Sequence, residues 1–310
     1  MADCYTKRQR RRLRRPDALV LGPLLDVPPA ERPRTRVLDF PAGAGCISWT
    51  LRSAGFDVTP CDLFPESFAK GYAAARALTV AEAFARATRS PPSAELARRL
   101  WGGAAPPMPE GMECVAGDLE ARFPFEDGQF DFVVSVEGIE HVSDRQGTLA
   151  EYRRVTRKGG RLILTTPNLL NLRARLSFAL CGFRSFNSWI DEHSGVQGRS
   201  ADGRRVYHGH AFMVDYNEMR YSLHHAGFRL ARVLPMHESG SSHLLKWVML
   251  PWVWAATKRA CHLGRRKFEH YRKTGRVPVD ARNPADEICR DLMSPALLYG
   301  RVMGLEAVAV

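Results

Sequence analysis

Two acidic side chains, each placed directly after a strand-like apolar run, bracket a glycine-rich turn early in the chain. Asp39 ends the first run, and Gly43 and Gly45 form the turn. Asp62 follows the second run, seventeen residues after Gly45. Glycine lets a backbone approach a ligand closely, and an acid after the second strand can accept hydrogen bonds from ribose hydroxyls. This spacing predicts a nucleoside-type cofactor lying across the carboxyl ends of parallel strands.

The elements that would position these acids alternate between strand-like and helical patterns over about residues 35–168. The strand-like runs are residues 36–40, 56–59, 113–119, 130–137 and 161–168. Between the last two lies a helix that Ser143 or Asp144 would cap, and the pair Gly159 and Gly160 is expected to end it. Such alternation predicts a doubly wound α/β sheet.

Residues 36–45 resemble motif I of the class I S-adenosylmethionine (SAM)-dependent methyltransferases, whose pattern is roughly V-L-D-x-G-x-G-x-G. Pro41 stands where the pattern has its first glycine, so this turn position must be one that needs no positive φ. The dinucleotide pattern G-x-G-x-x-G fits less well, because Ser48 and Trp49 occupy the place of its third small residue. That fold also needs no acid at the end of its first strand, where this chain has Asp39.

The resemblance implies SAM as the cofactor and a set of residues that bind it. Asp39 would position its methionine end, Asp62 would accept the ribose hydroxyls, and Asp118 would meet the adenine. The full set of implied cofactor-binding residues is Asp39, Gly43, Gly45, Asp62, Leu63, Asp118, Leu119 and Glu137.

The resemblance also implies the fold: an α/β, doubly wound, Rossmann-like sheet of seven strands with a reversed last strand, plus helical insertions. Residues 227–233 would be the sixth strand, and residues 297–310 would complete the seventh. We expect a basic N-terminal extension at 1–34 and a single methyltransferase domain at 35–310. Its insertions are expected at about 66–111, 169–207 and 234–296, the second of them as a lid.

The cofactor defines the chemistry that the remaining residues must support. Methyl transfer from a sulfonium is an in-line displacement, so alignment and desolvation matter most, and a hydroxyl acceptor also needs a base. The candidate bases are His141, beyond the fourth strand, and His208 and His210, before a later helix.

The expected acceptor is a hydroxyl of a small molecule, a quinone-like compound or a lipid-linked glycan. Residues 137–141 and 165–168 most resemble the corresponding stretches of small-molecule, quinone and glycan O-methyltransferases. Two alternatives stay open, an RNA methyltransferase and a SAM-binding, membrane-associated protein without activity.

The formal net charge of +12 lies almost entirely in two clusters. Residues 1–15 carry seven Lys/Arg against one Asp, and residues 257–276 carry eight Lys/Arg against one Glu. Such clusters favour the phosphates of nucleic acid or anionic lipid head groups. Nucleic acid is the weaker of these two expectations, because the sequence contains no recognisable RNA-binding module. A solvated tail is the simplest interpretation of the first cluster.

An apolar, tryptophan-rich segment at 244–256 runs directly into the second basic cluster. It is shorter than the roughly 20 residues of a spanning helix and contains Lys246 and Pro251. Two interpretations stay open: a segment that lies in a membrane interface, or a packed cap over the active site. The first predicts contact with an anionic membrane through residues 247–276, from Trp247 to Arg276.

The number and spacing of the cysteines bear on whether the protein has a metal site or disulfide bonds. The seven cysteines include no C-x-x-C pair, so the sequence predicts neither a metal site nor a disulfide framework. We expect a cytoplasmic protein, peripheral at the inner face of a membrane if the tryptophan-rich segment binds lipid. No pattern in the sequence predicts an oligomeric state.

Overall fold

Seven strands form one mixed sheet, in the order β3-β2-β1-β4-β5-β9-β8, in the computed structural model of the chain. The structure describes residues 21–89, 91–182, 197–199, 205–207, 212–278 and 281–310. The strands of the sheet are β1 (Arg36–Asp39), β2 (Asp57–Asp62), β3 (Val115–Ala116), β4 (Phe130–Val136), β5 (Thr156–Pro167), β8 (Phe228–Leu234) and β9 (Val302–Ala309). Strands β6 (Gln197–Arg199) and β7 (Arg205–Tyr207) pair separately.

Eleven α-helices lie in the described part of the chain, with short 3-10 helices at Arg32–Arg34 and Ile139–His141. The α-helices are α1 (Gly22–Leu25), α2 (Cys46–Ser53), α3 (Pro65–Ala75), α4 (Val80–Thr88), α5 (Ala94–Trp101), α6 (Arg145–Val155), α7 (Leu172–Cys181), α8 (Tyr216–His225), α9 (Gly240–Lys273), α10 (Ala285–Leu292) and α11 (Pro295–Tyr299).

The central strands are covered on both faces, because successive side chains of a strand point to opposite sides. On β1, Leu38 packs in a core with helices α6 and α8, and its neighbour Val37 packs in a second core with helices α2, α4 and α5. On β4, Val133 and Val134 divide between the same two cores. The sheet therefore has a helical layer on each side, as the alternating pattern predicts.

The last strand is reversed, which confirms the predicted fold class. Strands β1, β2, β3, β4 and β5 are parallel, whereas β9 lies antiparallel to both β5 and β8. Its Glu306 is 2% exposed and pairs with Arg161 on β5 and with Arg232 on β8. A buried carboxylate between two guanidinium groups thus links the three strands at the reversed end of the sheet.

The prediction that Gly159 and Gly160 end the helix is wrong. Helix α6 stops at Val155, and β5 starts at the next residue, where Thr156 pairs with Phe130 of β4. A Cβ at position 160 would lie 3.0 Å from the Asp131 carbonyl oxygen. The glycine pair is there because β4 and β5 approach closely at an irregularity in their pairing, not because a helix ends.

Two predicted strands are shorter than their apolar runs. At 113–119 only Val115 and Ala116 pair with β2, because β2 ends at Asp62, which is opposite Ala116. The run 297–310 divides into helix α11 and strand β9, since Ser294 caps a helix whose first position is Pro295. The first strand-helix-strand unit and the sixth strand match the predicted runs to within a few residues.

Each predicted insertion contains at least one helix, and the second, 169–207, contains helix α7 and also the strands β6 and β7. Helices α3, α4 and α5 lie within 66–111, apart from the first residue of α3, and helices α9 and α10 lie within 234–296. The division into one domain with three insertions stays a prediction, and the basic residues 1–15 lie outside the described residues. No helix in the described ranges is both long and apolar enough to cross a membrane.

Candidate active site

The carboxyl ends of the parallel strands β1, β2, β3, β4 and β5 meet at one edge of the sheet, and the predicted site residues lie along it. Strand β1 has β2 on one side and β4 on the other, so the chain reverses its winding direction at β1. Open α/β sheets bind ligands at such a switch point. The order of the strands therefore places Asp39 and Asp62 next to a crevice.

Asp62 joins the end of β2 to the glycine-rich turn. Its Oδ2 accepts a hydrogen bond from the Gly43 backbone N–H at 2.8 Å, and its Oδ1 accepts one from Phe64 at 2.9 Å. Burial raises the pKa of this carboxyl, and the backbone N–H groups of Phe64, Gly43 and Leu63 oppose that rise. Each carboxylate oxygen has a second lone pair, so Asp62 can still accept a ribose hydroxyl.

Asp39 is held at the end of β1 and is 1% exposed. Its Oδ2 accepts a hydrogen bond from the Ser48 hydroxyl of α2 at 2.5 Å. The next residue, Phe40, is fixed by Tyr152 of α6, whose hydroxyl donates to the Phe40 carbonyl oxygen at 2.8 Å. The same hydroxyl bonds to Ser135 of β4 at 2.9 Å. Buried polar contacts from two helices therefore fix where the turn begins.

The two turn glycines have different reasons to be glycine. Both have positive φ, +54° at Gly43 and +95° at Gly45, which other residues adopt only with strain. A Cβ at Gly45 would lie 2.7 Å from the Phe68 ring of α3, whereas no atom lies within 4 Å of a Cβ at Gly43. The space beside Gly43, next to the buried acids, is where a nucleoside cofactor can approach the backbone.

Pro41 is accommodated in place of the motif's first glycine, because φ at this position is not positive. Gly138, in the loop beyond β4, packs against Pro41 and supplies the necessary room. A Cβ at position 138 would fall 2.6 Å from Cδ of Pro41. The small residue thus lies beyond β4 instead of beyond β1, and the two loops still pack closely.

The residues predicted to meet the adenine follow β3. The Gly117 N–H donates to the Asp62 carbonyl oxygen at 3.0 Å, and a Cβ at Gly117 would meet the Cys61 Sγ at 2.4 Å. Asp118 is half-buried and accepts a hydrogen bond from the Glu120 N–H at 2.9 Å. The Leu119 carbonyl oxygen accepts one from the Thr148 hydroxyl at 2.8 Å. The β3 loop therefore lies directly beside the end of β2.

The loop beyond β4 carries Glu137, Glu140 and His141. The backbone N–H of Glu137 donates to the carbonyl and hydroxyl oxygens of Thr165 on β5, at 3.2 and 3.1 Å. Glu137 has φ +52°, a positive value that a non-glycine residue adopts only where its surroundings hold it. His141 ends the 3-10 helix and is half-buried. The predicted base candidate His141 thus lies at the cofactor edge of the sheet.

Glu140 is a buried acid whose position the sequence analysis did not single out. It is fully buried, and neither of its carboxyl oxygens has a hydrogen-bond partner of good geometry among the described residues. Burial and the nearby charge of Glu137 raise its pKa well above the ordinary value, and the Thr166 hydroxyl opposes this weakly. The available signal was an acid inside a turn of apolar neighbours.

Replacing Glu140 by glutamine is expected to stabilise the protein increasingly as the pH rises. The pKa of Glu140 is higher in the folded state than its ordinary value of 4.5. The protonated carboxyl therefore stabilises the folded state fully below pH 4.5, and this stabilisation is lost as the pH rises through the folded-state pKa. Glutamine does not titrate, so at pH 8 the variant should gain roughly 1–3 kcal/mol in unfolding free energy. Urea unfolding between pH 4.5 and 8 measures this, with exposed Glu126→Gln as the control. An equal shift at every pH would contradict it.

The structure brings the eight predicted cofactor residues to one edge, and their roles in binding stay predictions. Gly43 donates a hydrogen bond to Asp62, and Leu63 follows Asp62 in the chain and precedes Phe64. Glu137 lies in the loop beyond β4. His208 and His210 lie outside the described residues. The open backbone at Gly43 and the buried acids beside it fit the nucleoside and amino-acid parts of SAM.

The central part of the chain matches a known family. The family model described as a methyltransferase domain matches residues 38–164, which span β1 to β5. A demethylmenaquinone methyltransferase from Beutenbergia cavernae is 34% identical over 155 residues, covering 49% of this chain and 50% of that protein. One from Mycolicibacterium vanbaalenii is 46% identical over 65 residues, covering 21% of this chain and 26% of that protein.

The chain spans half or less of the length of these curated relatives. A solved structure described as an S-adenosylmethionine-dependent methyltransferase, from Mesorhizobium loti, aligns over 93% of this chain and 97% of its own. Its sequence identity is 12% and its TM-score 0.44.

Proposed function

We propose that this protein, whose residues 38–164 belong to the methyltransferase domain family, transfers a methyl group from SAM to a hydroxyl of a hydrophobic, quinone-like small molecule. The observation that carries the proposal is the convergence of Asp39, Asp62 and the Gly43 turn at the switch point of the sheet. The similarity to demethylmenaquinone methyltransferases over half of the chain supports a quinone-like acceptor.

The chain's own residues hold and orient the cofactor. SAM, when bound, supplies a methyl group already activated by a sulfonium. Asp62 accepts the ribose hydroxyls, while the Gly43 backbone gives the room for close approach. Asp39, held by a hydrogen bond from Ser48, would bind the amino-acid end of the cofactor. These groups are ordered before the cofactor arrives, so little rotational freedom is lost on binding.

The acceptor side is formed by the loops that follow β4 and β5. Asn168, which follows β5, is 4% exposed, and its side-chain amide donates to the carbonyl oxygens of Leu297 and Gly300 at 3.0 and 2.8 Å. This anchors the loop against α11. His141 stands opposite, beyond β4, where a neutral imidazole can take the proton of an acceptor hydroxyl.

Loss of the Asp62 carboxylate is expected to weaken S-adenosylhomocysteine binding by roughly 1.5–3 kcal/mol, the usual contribution of a hydrogen bond to a charged group. Calorimetry on Asp62→Asn measures this. The matched control is Asp57→Asn, which removes an exposed acid from the other end of the same strand. Equal affinities for the two variants would contradict the ribose role of Asp62.

A panel of acceptors tests the proposed substrate class. Purified protein with methyl-labelled SAM is given reduced quinones, simple phenols, lipid-linked glycans and RNA in parallel. Label transfer to the quinols and phenols is the expected result. Transfer to RNA alone would overturn the acceptor class, and binding of S-adenosylhomocysteine without transfer to any of the four would favour a binding protein without this activity.

A further inference from the structure

We propose that the solvent-facing side of helix α9 is a docking surface for an anionic lipid bilayer. The helix is 34 residues long, the longest among the described elements, and its exposed side changes character along its length. The first half of that side is apolar and the second half is cationic. The inference goes beyond the proposed function, since it concerns where the protein works.

The apolar half exposes large side chains that a helix in water would normally bury. Leu244 is 79% exposed, Trp247 80%, Val248 69% and Trp252 77%. Leu244, Val248, Pro251 and Ala255 follow one another at spacings of three or four, so they share one side of the helix. Trp247 and Trp252 flank that line. A contiguous exposed apolar patch of this kind marks an interaction site.

The opposite side of α9 is already packed, so the exposed patch is not simply the inner face of the helix. Ser242, Val253, Thr257 and Cys261 are buried. Val253 packs with Leu172 of α7 and with Leu298 of α11. The helix is therefore held to the body of the protein along its inner stripe, and its outer side remains for a partner.

Helix α7 extends the same apolar character. It packs against α9 and exposes two further side chains, Phe178 at 62% and Leu180 at 69%. The hydroxyl of Ser242 on α9 bonds to Asn171, which caps α7, at 3.4 Å. Since Asn171 follows the β5 loop and bonds to Ser242, the first turn of α9 lies close to the loop that follows β5.

The cationic half continues the same outer line of the helix. Lys258, His262 and Arg266 follow Ala255 at spacings of three or four. Arg265 and Arg272 pair with acids. Within the described ranges, no ion pair involves the exposed residues Lys258, Arg259, Arg266, Lys267 and Lys273.

The order of apolar and cationic residues decides in favour of a bilayer. Tryptophan prefers the head-group level of a membrane, and Lys and Arg that lie near an anionic surface are attracted to it. The line from Leu244 to Lys273 spans about 45 Å at 1.5 Å per residue, enough to lie along a surface. A nucleic acid would need the cations but not the exposed aliphatic patch.

Co-sedimentation with vesicles tests the proposal without depending on catalysis. The full chain is mixed with vesicles of phosphatidylcholine alone or of phosphatidylcholine with phosphatidylglycerol, at low and high salt. We expect binding that requires phosphatidylglycerol and weakens with salt. The double variant Trp247→Ala/Trp252→Ala should bind at least about tenfold more weakly, because burial of each side chain is lost. The variant Arg266→Gln/Lys267→Gln should lose roughly tenfold or more.

Matched variants control for general effects of substitution. Tyr221→Ala removes an aromatic side chain of 69% exposure from α8, and Arg76→Gln/Lys158→Gln removes two exposed cations elsewhere. Both should bind vesicles like the wild type. S-adenosylhomocysteine affinity, measured for every variant, reports separately on folding and on the proposed function. Absence of vesicle binding, binding that ignores the tryptophans, or a shift of RNA with no vesicle binding would each overturn the bilayer proposal.

Discussion

Replacing His141 by alanine is expected to lower the rate of methyl transfer by about 10²–10⁴-fold and to leave S-adenosylhomocysteine affinity nearly unchanged. A positioned general base contributes an effect of this size when the acceptor is a hydroxyl. His141 ends the 3-10 helix beyond β4, whereas Asp62 and Gly43, which are proposed to bind the ribose, lie at the end of β2 and in the turn after β1. Steady-state turnover with the acceptor identified by the panel, beside calorimetry, measures both quantities.

The pH profile distinguishes a base from a merely structural histidine. A base takes up a proton during the reaction, so turnover of the wild type should depend on pH, and this dependence should change in the alanine variant. His225→Ala, on helix α8, is the control and should change neither turnover nor the profile. Turnover that survives His141→Ala would contradict the base role of His141, and turnover that also survives His208→Ala and His210→Ala would mean that alignment of the acceptor alone suffices.

Replacing Glu306 by alanine is expected to destabilise the fold by about 1.5–3 kcal/mol, the usual contribution of a hydrogen bond to a charged group. Its carboxylate lies between Arg161 and Arg232, which come from the strands on either side. The pairing with Arg161 has an N–O distance of 2.8 Å, and Glu306 is almost fully buried. Removing it leaves Arg161 without its acid, whereas Arg232 keeps its pair with Asp26.

Urea unfolding of the variant at neutral pH measures this cost. Glu110→Ala, an exposed acid in a loop, is the control and should change the unfolding free energy by less than about 0.5 kcal/mol. A cost below about 1 kcal/mol for Glu306→Ala would show that solvent screens the triad as it screens surface pairs. Both arginines are partly exposed, so solvent can reach their charges and the measurement distinguishes the two possibilities.

Much of the fold could be predicted because its signals are local. An apolar run ending in Asp39, followed by glycines, specifies a strand, a turn and a helix within about ten residues. The apolar pattern of β4 on both faces identifies a central parallel strand. The prediction for Gly159 and Gly160 failed because glycine is typical both of a helix end and of a place where two strands approach closely. Only the pairing of Thr156 with Phe130 distinguishes them.

The residues of the candidate site also fall into two groups, those that a local sequence pattern indicates and those that only the tertiary packing identifies. Spacing alone indicated Asp39, Gly43 and Asp62, because each ends a strand or forms a turn. The burial of Glu140 depends on how the loops beyond β4 and β5 pack, so no local pattern reports it. Similarly, Gly138 makes room for Pro41 across 97 residues of sequence. Such a compensating pair of residues in two distant loops can be recognised only in the folded structure, where the loops are in contact.

The sequence by itself determined the order of strands and helices, the acids at the strand ends and the charge clusters. These follow from the type and spacing of neighbouring residues. Only the tertiary structure decided which side of α9 is packed and which is exposed. The sequence pattern of a tryptophan-rich helix is the same whether its tryptophans pack on a core or are exposed to solvent. Its environment depends on contacts with Leu172 and Leu298, which lie tens of residues away.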